Sequence, residues 1–137
     1  MKPLFAFAML ALLVGCSQKP AENTAQTANA DSFFAKEIAP ILQNNCATCH
    51  LTGAEAGKMS LVPANAIAHL VNIKVQEAPN LVRVVPGNPD ASYLIMKLEG
   101  THIAHGGTGA RMPFGAPPLS AEKIANFRRW IREGAQP

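Results

Sequence analysis

Apolar residues recur at helical spacing in the first half of the chain. Four of them fall at i, i+4, i+7 and i+8, which places them on one face of a helix ending near residue 45: Phe34, Ile38, Ile41 and Leu42. Pro40 interrupts this pattern, because proline lacks the backbone N–H that a helix interior needs. The pattern therefore predicts a helix with a kink or a break at Pro40.

The last helix has the clearest start and end signals. Ser120 is a predicted N-cap, with Leu119 and Ile124 as a hydrophobic staple around it. Gly134 is predicted to end the helix. The buried stripe is expected to consist of Ile124, Phe127 and Ile131, with Trp130 at its edge.

Two shorter helices are predicted between these. Asn65 is a candidate cap for a helix that carries Ile67, Leu70 and Val71. Asn88-Pro89 is typical of an N-cap followed by the first helical position, and Gly100 is expected to end that helix. Its apolar face would consist of Ala91, Leu94, Ile95 and Leu98. Residues 81–85 look briefly extended, but no partner strand is apparent, so the predicted class is all-α.

Composition and charge narrow the class of protein. A chain of 137 residues is long enough for one domain and hardly for two. Charged residues make up only 15% and Gly plus Pro number 21, which excludes a coiled coil. The formal net charge is +3, and the basic residues are scattered, so no nucleic-acid partner is expected.

The N-terminus has the layout of a secretory signal. Lys2 precedes an apolar run of 11 residues, 4–14, which is too short to cross a bilayer. The run ends in Leu13-Val14-Gly15-Cys16, which resembles a bacterial lipobox. This resemblance implies that residues 1–15 are a cleaved lipoprotein signal peptide and that Cys16 carries the lipid. The alternative is an ordinary signal peptide in which Cys16 is incidental.

The segment that follows is too polar to form a core. Residues 16–30 contain no aliphatic residue larger than Ala after Cys16, which predicts a flexible tether to the membrane. In lipoproteins of this kind a residue such as Ser17 after the lipidated Cys implies the outer membrane, facing the periplasm. The folded domain is then expected to span residues 31–137.

The chemistry of the chain centres on one motif, Cys46-Ala47-Thr48-Cys49-His50. This spacing is the signature of covalent c-type haem attachment, with two thioethers to the ring and the imidazole bound to the iron. A redox dithiol would favour a βαβ pattern, which is not visible here. A zinc site would need further ligands, for which His102 and His105 lack the usual spacing.

The sixth position on the iron decides what such a haem does. The side chains with a suitable donor atom are Met59, Met96, Met112, His69, His102 and His105. Met112 is preferred because it lies in a stretch, 100–118, that contains five Gly and three Pro and cannot be regular structure. Met59 lies only nine residues after His50, which is short for a chain that must reach the other face of the ring. His102 and His105 remain alternatives that would give a bis-His centre, although histidines in such a loop are usually solvated.

From about residue 33 onward the chain resembles the monohaem class I c-type cytochromes. The resemblance rests on a helix leading into the haem motif, on Met112 at 62 residues after His50, and on the aromatic C-terminal helix. It implies a cytochrome c fold of about four short helices around one covalently bound haem c. It further implies that the first and last helices cross, with Phe34 and Ile38 near Phe127 and Trp130. A proline carbonyl would accept the second N–H of the haem-binding imidazole; Pro63 sits at a compatible position, and Pro40 or another carbonyl could serve instead.

These features predict an electron carrier and not an enzyme. It would be a monomer or a subunit of a redox complex, anchored to the membrane by its lipid, and would dock transiently on redox partner proteins. Modest steering of an acidic partner is expected from Lys36, Lys58, Lys97 or Arg111. The rival interpretation is a peroxidase-like haem enzyme or a gas sensor with an open sixth position near His102, His105 and Arg111.

Overall fold

Residues 30–137 are described here from a computed structural model of the chain. The predicted signal peptide, the lipidated Cys16 and nearly all of the tether lie outside this range. The described part is built from helices and contains no strand, in agreement with the all-α prediction. Its elements are a π-helical segment (Phe34–Ile38), α1 (Ala39–Asn45), α2 (Pro63–Leu70), α3 (Tyr93–Glu99), a 3₁₀ turn (His102–His105) and α4 (Ala121–Arg132).

The first helix changes its type where the proline was expected to disturb it. The π-helical segment runs directly into α1, and Pro40 is the second residue of α1. A wider turn just before a proline is one way to accommodate a residue that cannot donate a backbone hydrogen bond. Phe34, Ile38 and Leu42 are buried on the predicted face.

α4 packs across the π-helical segment and closes the main core. The rings of Phe34 and Trp130 lie with their centroids 5.5 Å apart, and those of Phe127 and Trp130 lie 6.5 Å apart. The expected proximity of the first and last helices is therefore confirmed. Trp130 itself is not at the edge of the stripe, because it is 2% exposed and its indole N–H donates to the carbonyl of Gln136.

The ends of α4 agree with their sequence signals. The hydroxyl of Ser120 accepts the backbone N–H of Lys123 at 3.3 Å, as an N-cap does. The helix ends at Arg132, and Gly134 follows with a φ of +101°, which the absence of a side chain permits. Leu119 is buried and Ile124 half-buried against the same core.

The predicted starts of α2 and α3 are wrong by several residues. α2 begins at Pro63, and Asn65 is already inside it, with its amide donating to the hydroxyl of Ser60. Asn88 does not cap α3, because its side chain accepts the N–H of Ala91 and closes a separate turn. α3 begins only at Tyr93, although it does end at Gly100, whose φ is +79°.

Residues 81–85 find partners that the sequence pattern did not indicate. Val84 bridges to Val71 in parallel, and Val82 bridges both to Lys74 and to Ser92. The backbone N–H of Arg83 donates to the carbonyl of Ile73 at 2.8 Å. These isolated bridges connect residues 82–84 to the residues that follow α2 and to the residue that precedes α3.

A small cavity of about 120 Å³ lies where the first and the last residues of the described range come together. Phe33 and Phe34 from the start of the domain line it together with Gln136 and Pro137 from its end. Within residues 30–137, no helix combines the length and the apolar character required to span a bilayer.

Candidate functional site

A cavity of about 550 Å³ opens between the helices and two irregular loops. This volume lies within the range of small-molecule and cofactor sites. Cys46, Cys49 and His50 line it, and so do Met112 and Pro113 from the long loop. The structure thus brings the motif predicted from the sequence and the preferred sixth ligand to one place.

The motif forms a compact turn at the end of α1. The backbone N–H groups of Cys46 and Ala47 both donate to the carbonyl of Leu42, at 2.9 and 3.0 Å. The N–H of His50 then donates to the carbonyl of Cys46 at 3.0 Å. This folding of five residues on themselves lets both thiols and the imidazole line the same cavity.

The two thiols of the motif are free. Burial, together with the neighbouring Cys49, raises the pKa of Cys46 to about 11. Redox-active dithiols carry a nucleophilic cysteine whose pKa lies below that of a free thiol. The environment of Cys46 is the reverse of this, so the geometry does not favour the dithiol interpretation.

His50 is buried in a way that leaves it available to a ligand. The residue is 8% exposed, and its Nδ1 atom has no hydrogen-bond partner in the described part of the chain. Burial lowers the pKa of His50 and favours the neutral imidazole that binds metals, whereas the Ala56 backbone raises it. Of the backbone partners expected for this imidazole, neither Pro63 nor Pro40 is used; the backbone group that acts on it belongs to Ala56.

The six candidates for the sixth ligand differ in whether they line the cavity. Met112 lines the cavity, and so does Met59, which the sequence argument had set aside. Met96, His69, His102 and His105 do not line it. Met59 sits over Gly57, where an added Cβ would come within 2.6 Å of its terminal methyl carbon. The sequence distance from His50 had made Met59 look unable to reach the site.

The two loop histidines differ from the expectation that both are solvated. His105 is exposed, as expected. His102 is 2% exposed, its Nε2 lies 3.0 Å from the carbonyl oxygen of Gly109, and its ring meets Tyr93 edge-on. Arg111 does not line the cavity either, since its guanidinium donates to the carbonyls of Met112 and Ala116. The three residues of the rival interpretation therefore do not meet in the cavity.

Two of the predicted steering cations are engaged inside the chain. Lys97 donates to the carbonyls of Thr108 and Ala110, and Arg111 to those of the following loop. Lys36 lies 2.9 Å from Asp31 in an exposed ion pair. Lys58 is exposed.

Arg83 is a functional candidate that the sequence analysis missed. It lines the cavity although it is only 6% exposed, and it forms no ion pair with a carboxylate among residues 30–137. Its guanidinium donates to the carbonyls of His69 and Gly57, both at 2.7 Å. Burial lowers the pKa of Arg83, and the carboxylate of Glu77 raises it. No local sequence signal marks Arg83, because its partners lie 14 and 26 residues away.

The residues present fit a haem. A haem carries two reactive vinyl groups, an iron and two carboxylates. Around one cavity lie two free thiols for the vinyl groups, a neutral imidazole with an unpaired nitrogen and a thioether for the iron, and a buried guanidinium for the carboxylates. The described residues contain no group of three or more His, Cys, Asp or Glu side chains positioned to hold a metal ion by themselves.

Comparison of the chain with protein-family models, with curated proteins and with solved structures finds no match.

Proposed function

We propose that this chain is a single-haem c-type cytochrome that passes single electrons between redox partner proteins outside the cytoplasm. The observation that carries the proposal is that the three motif side chains and Met112 line one cavity of about 550 Å³. When bound, the haem supplies an iron that exchanges one electron between its ferrous and ferric states. The side chains of the protein would hold this cofactor and determine its surroundings.

The motif residues hold the cofactor in place. Cys46 and Cys49 provide the two thiols for covalent attachment, and neither is committed to a disulfide. His50 provides a neutral imidazole, because its burial disfavours the imidazolium. Arg83 faces the same cavity with a positive charge that suits the carboxylates of a haem.

Met112 provides the thioether that distinguishes a carrier from an enzyme. If His50 and Met112 both hold the iron, the chain would leave no position on it for a substrate, and the sulfur ligand would favour the ferrous state. Pro113 and Phe114 continue this wall of the cavity, and Phe114 is 74% exposed. Leu51, directly after His50, is 53% exposed. Exposed apolar side chains beside the site suit a small, transient interface with a redox partner.

The membrane anchor is part of the proposal. Lipidation of Cys16 and a tether over residues 16–30 would hold the domain close to a membrane of the bacterial envelope, with the outer membrane favoured by Ser17. This keeps a small carrier near its partners without a spanning helix.

The test is the optical spectrum of the purified, haem-loaded protein in its ferric and ferrous states, with carbon monoxide added to the ferrous state. We expect a far-red sulfur–iron charge-transfer band and no response to carbon monoxide. Met112→Ala should abolish the band and allow carbon monoxide to bind, because it vacates the sixth position. Met59→Ala is the matched control, since Met59 is also half-buried and lines the same cavity.

Three other results would contradict parts of the proposal. A high-spin spectrum with ready carbon monoxide binding in the unmodified protein would show an open site and favour the enzyme or sensor. A low-spin spectrum without the band would indicate bis-His ligation. Loss of the band in Met59→Ala, with Met112→Ala unchanged, would move the sixth ligand to Met59.

A further inference from the structure

Residues 107–111, between the 3₁₀ turn and Met112, have no regular structure, yet three successive backbone carbonyls are held there. In a helix or sheet such carbonyls would accept backbone N–H groups of the same element. Here the donors are side chains. Lys97 Nζ donates to the carbonyl of Thr108 at 2.7 Å and to that of Ala110 at 3.0 Å. His102 Nε2 lies 3.0 Å from the carbonyl of Gly109, the residue between Thr108 and Ala110.

Lys97 also holds Met112 itself. Lys97 lies in the last turn of α3, where a helix leaves its final carbonyls without internal partners. The carbonyl of Lys97 accepts the backbone N–H of Met112 at 3.0 Å. One residue therefore binds the loop three times, twice through its ammonium group and once through its backbone.

The loop lies close to α3 because one position has no side chain. The N–H of Gly107 donates to the carbonyl of His102 at 2.9 Å. A Cβ at Gly107 would lie 2.7 Å from the Cε2 atom of Tyr93 and 2.9 Å from the carbonyl oxygen of His102. Only glycine lets the backbone approach α3 this closely.

We propose that Lys97 is the positioning residue for the axial Met112, with His102 as its helper, and that together they keep the thioether in place against competing ligands. This role rests on the function proposed above, and neither residue is a ligand itself. Hydrogen bonds from a charged donor are about twice as strong as neutral ones, so the ammonium of Lys97 supplies most of the restraint. His102, considered from the sequence as an alternative ligand, instead holds the loop that carries the ligand.

The test uses the haem-loaded protein and two readouts, the far-red sulfur–iron band and the affinity of the ferric protein for added imidazole. Lys97→Met keeps the length of the side chain and removes the ammonium. We expect a weaker band and imidazole binding that is tighter by about tenfold or more, because the state with Met112 bound is less favoured. Lys97→Arg, which restores a cation with several donors, should recover most of the band.

A second variant and a control keep the test decisive. His102→Phe retains a ring against Tyr93 and loses the donor, so it should shift both readouts in the same direction by a smaller factor. If Lys97→Met does not fold, the result for His102→Phe tests the positioning role in its place. Lys123→Met, at an exposed helical lysine of α4, should behave like the unmodified protein.

The outcomes separate this inference from the proposed function. If the unmodified protein shows the band and Met112→Ala loses it, but Lys97→Met and His102→Phe match the Lys123→Met control, the positioning role is overturned and the carrier assignment stands. A lower unfolding temperature with both readouts unchanged would leave Lys97 a merely structural role and would equally overturn it. If the unmodified protein has no Met112-dependent band, the proposed ligation fails and this inference fails with it.

Discussion

Two sides of the domain are held by different forces. On the helical side, the π-helical segment and α4 bury Phe34, Ile38, Phe127 and Trp130 against one another, with exposures of at most 2%. On the loop side, charged side chains hold backbone groups, as Arg83 does at Gly57 and Lys97 at Thr108. Apolar burial is non-directional and independent of pH, whereas these polar contacts depend on geometry and charge. The apolar side of the domain therefore contributes mainly to its stability, and the polar side mainly to the placement of the loops.

The largest expected effect belongs to the helical side. Phe127→Ala removes a fully buried ring that contacts Trp130, and we expect a loss of about 3–5 kcal/mol in the free energy of unfolding because a cavity remains. Chemical denaturation of the protein measures it. Arg132→Ala, at an exposed position of the same helix, should stay within about 0.5 kcal/mol. A loss below about 1 kcal/mol for Phe127→Ala would mean that the crossing of α4 is not as described.

The second-largest effect on stability is expected on the loop side, from the loss of the charged donor of Arg83. Arg83→Met keeps the bulk of the side chain but leaves the carbonyls of His69 and Gly57 without their donor. We expect a loss of about 2–3 kcal/mol in the free energy of unfolding, since each buried acceptor without a partner costs about 1–3 kcal/mol. Lys74→Met, at an exposed cation, is the control. Equal losses in the two variants would show that the guanidinium contributes nothing here.

The smallest effect is the pH dependence of the loop after His50. Hydrogen bonds from its own backbone and from Thr52 and Gly53 lower the pKa of Glu55 from 4.5 to about 2. A carboxyl with a depressed folded pKa stabilises the fold fully above its ordinary pKa, and this contribution is lost as the pH falls from about 4.5 towards 2. The melting temperature of Glu55→Gln should therefore be slightly lower than that of the unmodified protein at pH 6, with the gap closing near pH 2.

This pH series also sharpens the comparison. The deficit of Phe127→Ala contains no titrating group and should be the same at pH 6 and at pH 3. If its deficit shrank in acid as that of Glu55→Gln does, the distinction between an apolar side and a polar side would be wrong.

The sequence allowed the helical side to be predicted better than the loop side, for a physical reason. Ser120, Gly100 and Gly134 act through bonds and backbone angles within a few residues, so their roles as cap or helix end are visible in the local pattern. Asn88 gave a false signal, because the same side-chain geometry that caps a helix also closes the short turn to Ala91.

Several side chains that line the cavity could be predicted from the sequence, whereas the contacts that hold the loops around it could not. The motif of residues 46–50 and Met112 could be chosen by type and spacing, and the structure does bring them together. The partners of Arg83 and His102 are set by the path of the loops, which no local pattern encodes. For the same reason the extended segment near Val84 seemed unpaired until its bridge to Val71 was observed.

The small cavity of about 120 Å³ has a practical consequence for testing the proposed electron transfer. Phe33 and Pro137 line this cavity, and none of its lining residues belongs to the large cavity that holds the motif. A linker joined after Pro137 would therefore start from residues that do not line the large cavity. If the proposed function holds, protein attached to an electrode through such a linker would give a current without a partner protein.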